Sequence, residues 1–127
     1  MLEQAGRVVH PRSLIERARA NARSNGISNA DFHVSDLSQP PDPTLSWMRT
    51  GYDAVLLDPP RVGAREVLSA VAHLAPRRVV YISCHTGSLT RDLGALVDHG
   101  FRLRAAGVLD MFPHTTHVES VAVLDRG

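Results

Sequence analysis

DAVLLDPPR at residues 53–61, together with RVVYISC at 78–84, decides the fold. Ala54 to Leu57 is a continuous apolar run between Asp53 and Asp58, closed by Pro59-Pro60. So short a run, apolar throughout and stopped by prolines, reads as a strand buried in a parallel sheet. Arg78 to Ser83 reads the same way and breaks at Cys84. Between them, Ala64 to Leu74 puts Val67, Leu68, Val71 and Leu74 on one helical face. Ser88 to His99 repeats that pattern through Leu89, Leu93, Leu96 and Val97, and Gly100 ends it. Working outward, Arg7-Val8-Val9 and Phe32-His33-Val34 are predicted short strands. Ser13 is a fitting N-cap for a helix over residues 14–25, with Gly26 as its C′ residue. Residues 38–50 carry three prolines and read as a loop holding a turn of helix near Trp47. Phe101–Leu109 and Val118–Leu124 are predicted as final strands around DMFPHTTH at 110–117. Strands alternating with helices predict βαβ units and a parallel α/β sheet.

The 127 residues amount to one domain. A composition 43% hydrophobic and 21% charged is globular and argues against disorder, collagen and coiled coil. No apolar run reaches the length of a membrane span, about 18 residues. The opening MLEQAGRVVHPRS lacks a basic segment followed by an apolar one, so a signal peptide is not expected and a cytoplasmic location is. Fourteen basic residues, all arginine, against thirteen acidic ones leave a net charge of +1. That is no dedicated nucleic-acid module, so any RNA contact has to come from a local patch or from segments outside this chain. Cys84 is the one cysteine, which excludes an internal disulfide and any multi-cysteine metal site.

In parallel α/β sheets ligands bind beyond the carboxyl ends of the strands. Asp36, Asp58-Pro59-Pro60-Arg61 and Ser83-Cys84-His85-Thr86 all fall there, with Glu119 and the His114–His117 loop beside the last strand. Cys84 follows a strand and precedes a helix that Thr86 or Ser88 would cap. It is either a nucleophile favoured by the helix dipole or a packed small hydrophobe. Asp58-Pro-Pro is either a stiffened carboxylate presenter or an ordinary turn. Arg61 stands where amino-group methyltransferases carry an aromatic residue, which argues against that chemistry. His114, His117 and Glu119 make a metal site conceivable, but they lack helical presentation, and loop histidines making hydrogen bonds are favoured. Glu119 is a solvated strand-end residue or a placed base. Arg17, Arg19 and Arg23 mark the polar face of the first helix.

LLDPPRVGA, VVYISC and LDMFPHTTHVESV, in that order and spacing, resemble the SAM-dependent RNA uracil-C5 methyltransferases, which form 5-methyluridine; NARSNG in the first helix extends the likeness. The DMFPHT…HVES segment is closest to the ribosomal-RNA branch. The resemblance implies a class I (Rossmann-like) methyltransferase fold, S-adenosyl-L-methionine as cofactor, RNA as substrate and no metal. It matches Cys84 to the nucleophile that adds to C6 of uracil, and Glu119 to the base that removes the C5 proton. It places Asp36 and Asp58 at the cofactor, and Arg61, His114 and His117 at the substrate.

Three departures from the family pattern stand out. His85-Thr86 replaces the usual Asn-Pro after the nucleophile. Val9-His10-Pro11 carries no ribose-binding carboxylate. The family's first strand and Gly-rich loop have no counterpart, so residues 1–127 read as the C-terminal portion of a catalytic domain, an incomplete fold. In the class I sheet the first strand is central. Its absence is expected to leave an exposed edge or a local re-pairing, to favour a homodimer covering the defect, and to weaken cofactor binding. Two further readings remain: a non-catalytic remnant or interaction module, and another Cys-dependent α/β enzyme using His85, His114 or His117.

Overall fold

A computed structural model describes residues 12–110, 114 and 118–127. The predicted strand at Arg7–Val9 and His117 lie outside the described residues. Helix α1 spans Arg12–Ser24, and strands β1 (Ala54–Leu57) and β2 (Arg78–Ser83) follow. Helix α2 (Leu68–Leu74) lies between those strands, entered through a 3-10 turn at Arg65–Val67. Helix α3 (Thr86–Asp98) precedes β3 (Phe101–Leu109) and β4 (Glu119–Arg126), and a 3-10 turn covers Ser46–Arg49 around Trp47.

The sheet order is β1-β2-β4-β3. β1 and β2 are parallel, as their apolar runs predict, but β4 is antiparallel to both of its neighbours. The wholly parallel sheet is therefore corrected to a mixed one. The 110–118 connection is too short for the crossover a parallel return needs, so β4 doubles back on β3. Val79, Tyr81, Ala122 and Leu124 are fully buried on one face of the sheet, beneath Leu68, Val71, Leu89 and Leu96 of the helices. On the opposite face Val80, Ile82, Val121 and Val123 are only half-buried.

The strand predicted at Phe32–Val34 is absent; the segment is irregular and joins no sheet. A strand exists only through a neighbour, and among the described residues no strand lies on the outer side of β1. Among the described residues that side of β1 is therefore unpaired. Ser13 lies inside α1 and does not cap it. Gly26 ends that helix as predicted. At φ 69° its N–H donates to the Arg23 carbonyl while Ile27 N–H donates to Ala22, a Schellman closure.

Asp92 of α3 is completely buried. Its Oδ2 accepts from the Tyr81 hydroxyl at 2.5 Å and from Ala64 N–H at 2.8 Å, while Oδ1 accepts from Arg91 Nε at 2.9 Å. One carboxylate thereby joins β2, α3 and the loop after β1. Burial first, then the hydrogen bond and charge of Asp92, push the Tyr81 hydroxyl pKa well above the usual phenol value.

Asp92→Ala would leave the Tyr81 hydroxyl and the Ala64 N–H buried without an acceptor, and a loss of about 3–5 kcal/mol is expected in urea unfolding. A second test uses pH. Native Tyr81 keeps its proton at pH values where the unfolded chain, with a pKa near 10, releases it. The native state then holds more protons, so stability is complete below about pH 10 and falls above it, by up to about 1.4 kcal/mol per unit. Tyr81→Phe should flatten that alkaline decline.

Candidate functional site

Two loops converge at the carboxyl ends of β1 and β2. The first runs from Asp58 through Arg61 to Ala64, and the second from Ser83 to Thr86. Asp58 is half-buried at the end of β1, while Arg61 is exposed. The loop turns through Gly63 at φ 89°, where a Cβ would meet Arg91 NH2 at 2.5 Å and Asp92 Oδ2 at 2.6 Å. Glycine is required there by both backbone and space. Arg91 NH2 donates to the Val62 carbonyl at 2.8 Å, and Ser88 Oγ donates to the Arg61 carbonyl at 2.7 Å. Together with the Asp92–Ala64 bond, these contacts fasten the proline loop to the first turns of α3.

Cys84 is exposed. That removes the packed-hydrophobe reading, because a structural thiol would be enclosed. Its neighbours are held on both sides. Ser83 Oγ donates to the His85 carbonyl at 2.8 Å and lies 3.0 Å from His85 N–H. His85 is the N-cap of α3, its Nδ1 accepting from Ser88 N–H at 3.1 Å. This corrects the capping expected from Thr86 or Ser88, both of which lie inside the helix. The imidazole nitrogen does the work usually done by a side-chain oxygen, and an accepting Nδ1 leaves the ring proton on Nε2.

Glu119 opens β4 and is half-buried. The antiparallel ladder ends with Ser83 against Ser120; Cys84 follows at a bend, and Glu119 precedes Ser120 at the start of β4. The reversal of β4, unforeseen in the sequence, brings both residues to the carboxyl end of β2, each adjoining that last pair. Asp36 is exposed in a loop, not at a strand end. Its Oδ1 accepts from Ser38 N–H at 2.9 Å and Ser38 Oγ at 2.6 Å, and those bonds hold its carboxyl below the usual carboxylate range. His114 is exposed with φ 67°. Among the described residues no cluster of three His, Cys, Asp or Glu side chains is placed to hold a metal ion. No helix among them is long and apolar enough to cross a membrane.

Asp92 and Tyr81 support the site but escaped the sequence reading, whereas Ser88, read as a possible cap, instead ties the Arg61 carbonyl to the capping His85. A signal for Asp92 existed: it lies three residues after Leu89 and four before Leu96, on the helix face that must be buried, where an acid demands partners.

Gly63→Ala should destabilise the chain by about 1–3 kcal/mol through its left-handed backbone and the crowding of Asp92. His85→Ala should cost about 0.5–2 kcal/mol as a lost cap, and His85→Asn should restore most of it, both measured by denaturant unfolding.

The sequence profile described as tRNA (Uracil-5-)-methyltransferase matches residues 44–127. A protein of Xylella fastidiosa named 23S rRNA (uracil(1939)-C(5))-methyltransferase RlmD is 57% identical over 114 residues, covering 89% of this chain and 26% of that protein. The protein of that name from Xanthomonas euvesicatoria is 55% identical over the same shares. This chain thus spans about a quarter of the length of these relatives. The crystal structure of Pyrococcus abyssi tRNA (uracil-54, C5)-methyltransferase in complex with S-adenosyl-L-homocysteine superposes with a TM-score of 0.73 at 34% identity. It covers 94% of this chain and 27% of that one. M. jannaschii TYW2 in complex with AdoMet, 13% identical with a TM-score of 0.62, shares the fold. By the matched profile and these relatives, the chain belongs to the tRNA (uracil-5-)-methyltransferase family.

Proposed function

We propose that this chain carries the nucleophile-and-base half of an RNA uracil-C5 methyltransferase, with ribosomal RNA as substrate. Residues 1–127 form the C-terminal portion of the catalytic domain in this reading, and the reaction belongs in the cytoplasm. The observation that carries it is an exposed Cys84 and a half-buried Glu119, each adjoining the Ser83–Ser120 pair where β2 meets β4. Carbon 5 of uracil is too weak a nucleophile to be methylated unaided. Addition of the Cys84 sulfur to C6 forms a C–S bond and makes C5 electron-rich. After C5 has taken the methyl group, Glu119 takes the C5 proton and the C6–S bond breaks, returning the thiolate. Arg61 and His114, both exposed, and His117 are assigned to the RNA.

S-adenosyl-L-methionine supplies the electrophilic methyl group when bound. The acceptors present fit the polar half of that molecule. Asp58 stands at the carboxyl end of β1, and Asp36 uses only Oδ1 within its own turn, leaving Oδ2 for an amine donor. Nothing in the scheme requires a metal, so EDTA should leave the covalent step unchanged.

The chain alone should bind the cofactor more weakly than micromolar, read by isothermal titration, since among the described residues no strand or Gly-rich loop lines the outer side of β1. A second copy pairing along that edge is the homodimer this reading favours; sedimentation at rising concentration should show it. The decisive experiment traps the covalent step. RNA containing 5-fluorouridine and S-adenosyl-L-methionine are incubated with this chain, and with a longer protein of the relatives' length that includes it. Fluorine at C5 cannot leave as a proton, so the enzyme stalls attached to RNA. A denaturation-resistant adduct with the longer protein, lost in Cys84→Ala, is expected. Its absence there would favour a non-catalytic remnant, a reading suggested by the His85-Thr86 replacement.

A further inference from the structure

The end of the sheet opposite Cys84 gathers arginines. β2 and β3 begin there and β4 ends there, which brings together Arg77, Arg78, Arg102, Arg104 and Arg126, all exposed. Asp53, Arg77, Arg78, Asp125 and Arg126 line one shallow concavity. Arg102 is the cross-strand partner of Asp125, and Arg104 Nε lies 3.5 Å from its carboxylate, so both adjoin that concavity. Arg78 holds Asp125 with two contacts, Nε at 2.7 Å and NH2 at 3.1 Å. Arg78 first, with the charges of Arg104 and Arg77, keeps the Asp125 carboxyl below its ordinary range. One carboxylate thus answers Arg78 and Arg104, while Arg77 and Arg102 make no side-chain hydrogen bond or ion pair among the described residues. In a chain of net charge +1, a local excess of five arginines over two aspartates is a marked concentration.

We propose that this arginine cluster is a second RNA-contact surface, gripping the phosphodiester backbone at a distance from the reacting uridine. Guanidinium forks match phosphate oxygens and keep their charge at every working pH. Phe101, at this end, is 1% exposed and lies under the Arg126 guanidinium at 5.7 Å, so it offers no stacking platform for a base. Guanidinium contacts of this kind go to the phosphate backbone, independent of sequence. Five steps along β2, at about 3.3 Å each, separate Arg78 from Ser83, so the cluster lies on the order of 17 Å from the catalytic loop. A folded RNA large enough to span the sheet reaches both ends. With a net charge of +1 the chain has no general basic surface to draw RNA in, so any contact it makes itself has to come from a local patch.

The inference rests on the reading of this chain as an RNA-modifying protein, and the experiment separates the two. Binding of a fluorescent, uridine-free single-stranded RNA to the chain is titrated at several salt concentrations. Arg77→Gln/Arg102→Gln removes guanidiniums that make no side-chain hydrogen bond or ion pair among the described residues. It should weaken binding severalfold and reduce the slope of log affinity against log salt by about 1–2. Arg17→Gln/Arg23→Gln on the exposed face of α1 should change neither. An unaltered slope in the first variant, or no binding by the wild-type chain at low salt, overturns the proposal. In both cases the 5-fluorouridine adduct at Cys84, which needs no contact at this end, reports separately on the catalytic reading.

Discussion

The carboxylate of Asp92 is the constraint on which the rest of the structure depends. It sits fully buried with three donors from three elements: Tyr81 in β2, Arg91 in α3 and Ala64 at the end of the proline loop. A charge so placed is tolerated only while each partner remains. The loop after β1 therefore cannot drift relative to α3, and the first turn of α3 carries His85 and borders Cys84. Ser88 repeats the lesson on a smaller scale, linking the Arg61 carbonyl to the cap of the helix. Rigidity at a covalent site matters because the reacting atoms must be held within a fraction of an ångström.

The other half of the site arrives by topology. β3 and β4 form an antiparallel pair, and the reversal brings Glu119 to the carboxyl end of β2 from the far side. Cys84 and Glu119, proposed as nucleophile and base, thus flank the last pair of adjacent strands that are distant in sequence. The proposed catalytic residues occupy one end of the sheet and the arginines the other.

Much of this was legible in the sequence for identifiable reasons. The apolar runs before Asp58 and Cys84 were continuous and stopped by prolines or a polar break, so β1 and β2 and their parallel pairing could be read directly. The resemblance then matched Cys84 and Glu119 to roles that their positions accommodate. What escaped depended on partners rather than on local pattern. Phe32–Val34 has the composition of a strand but no neighbour to pair with. The direction of β4 follows from a loop length, not from its own residues. His85 caps α3 through a ring nitrogen, a role not expected of that residue type. Asp92 hid as one acid in an amphipathic helix, though its position between Leu89 and Leu96 marked it as buried.

The adjacency of Cys84 and Glu119 is the claim from which the catalytic reading follows, and cross-linking tests it directly. Glu119→Cys supplies a second thiol in a chain that has one. Opposed positions of an antiparallel ladder lie about 4.5–5.5 Å apart at Cα, within the range a disulfide spans. Under mild oxidation the variant should form an intramolecular disulfide, seen as loss of both alkylatable thiols in the monomer and restored by reductant. Two thiols that remain free to alkylate after oxidation would contradict that adjacency, and with it the pairing of nucleophile and base.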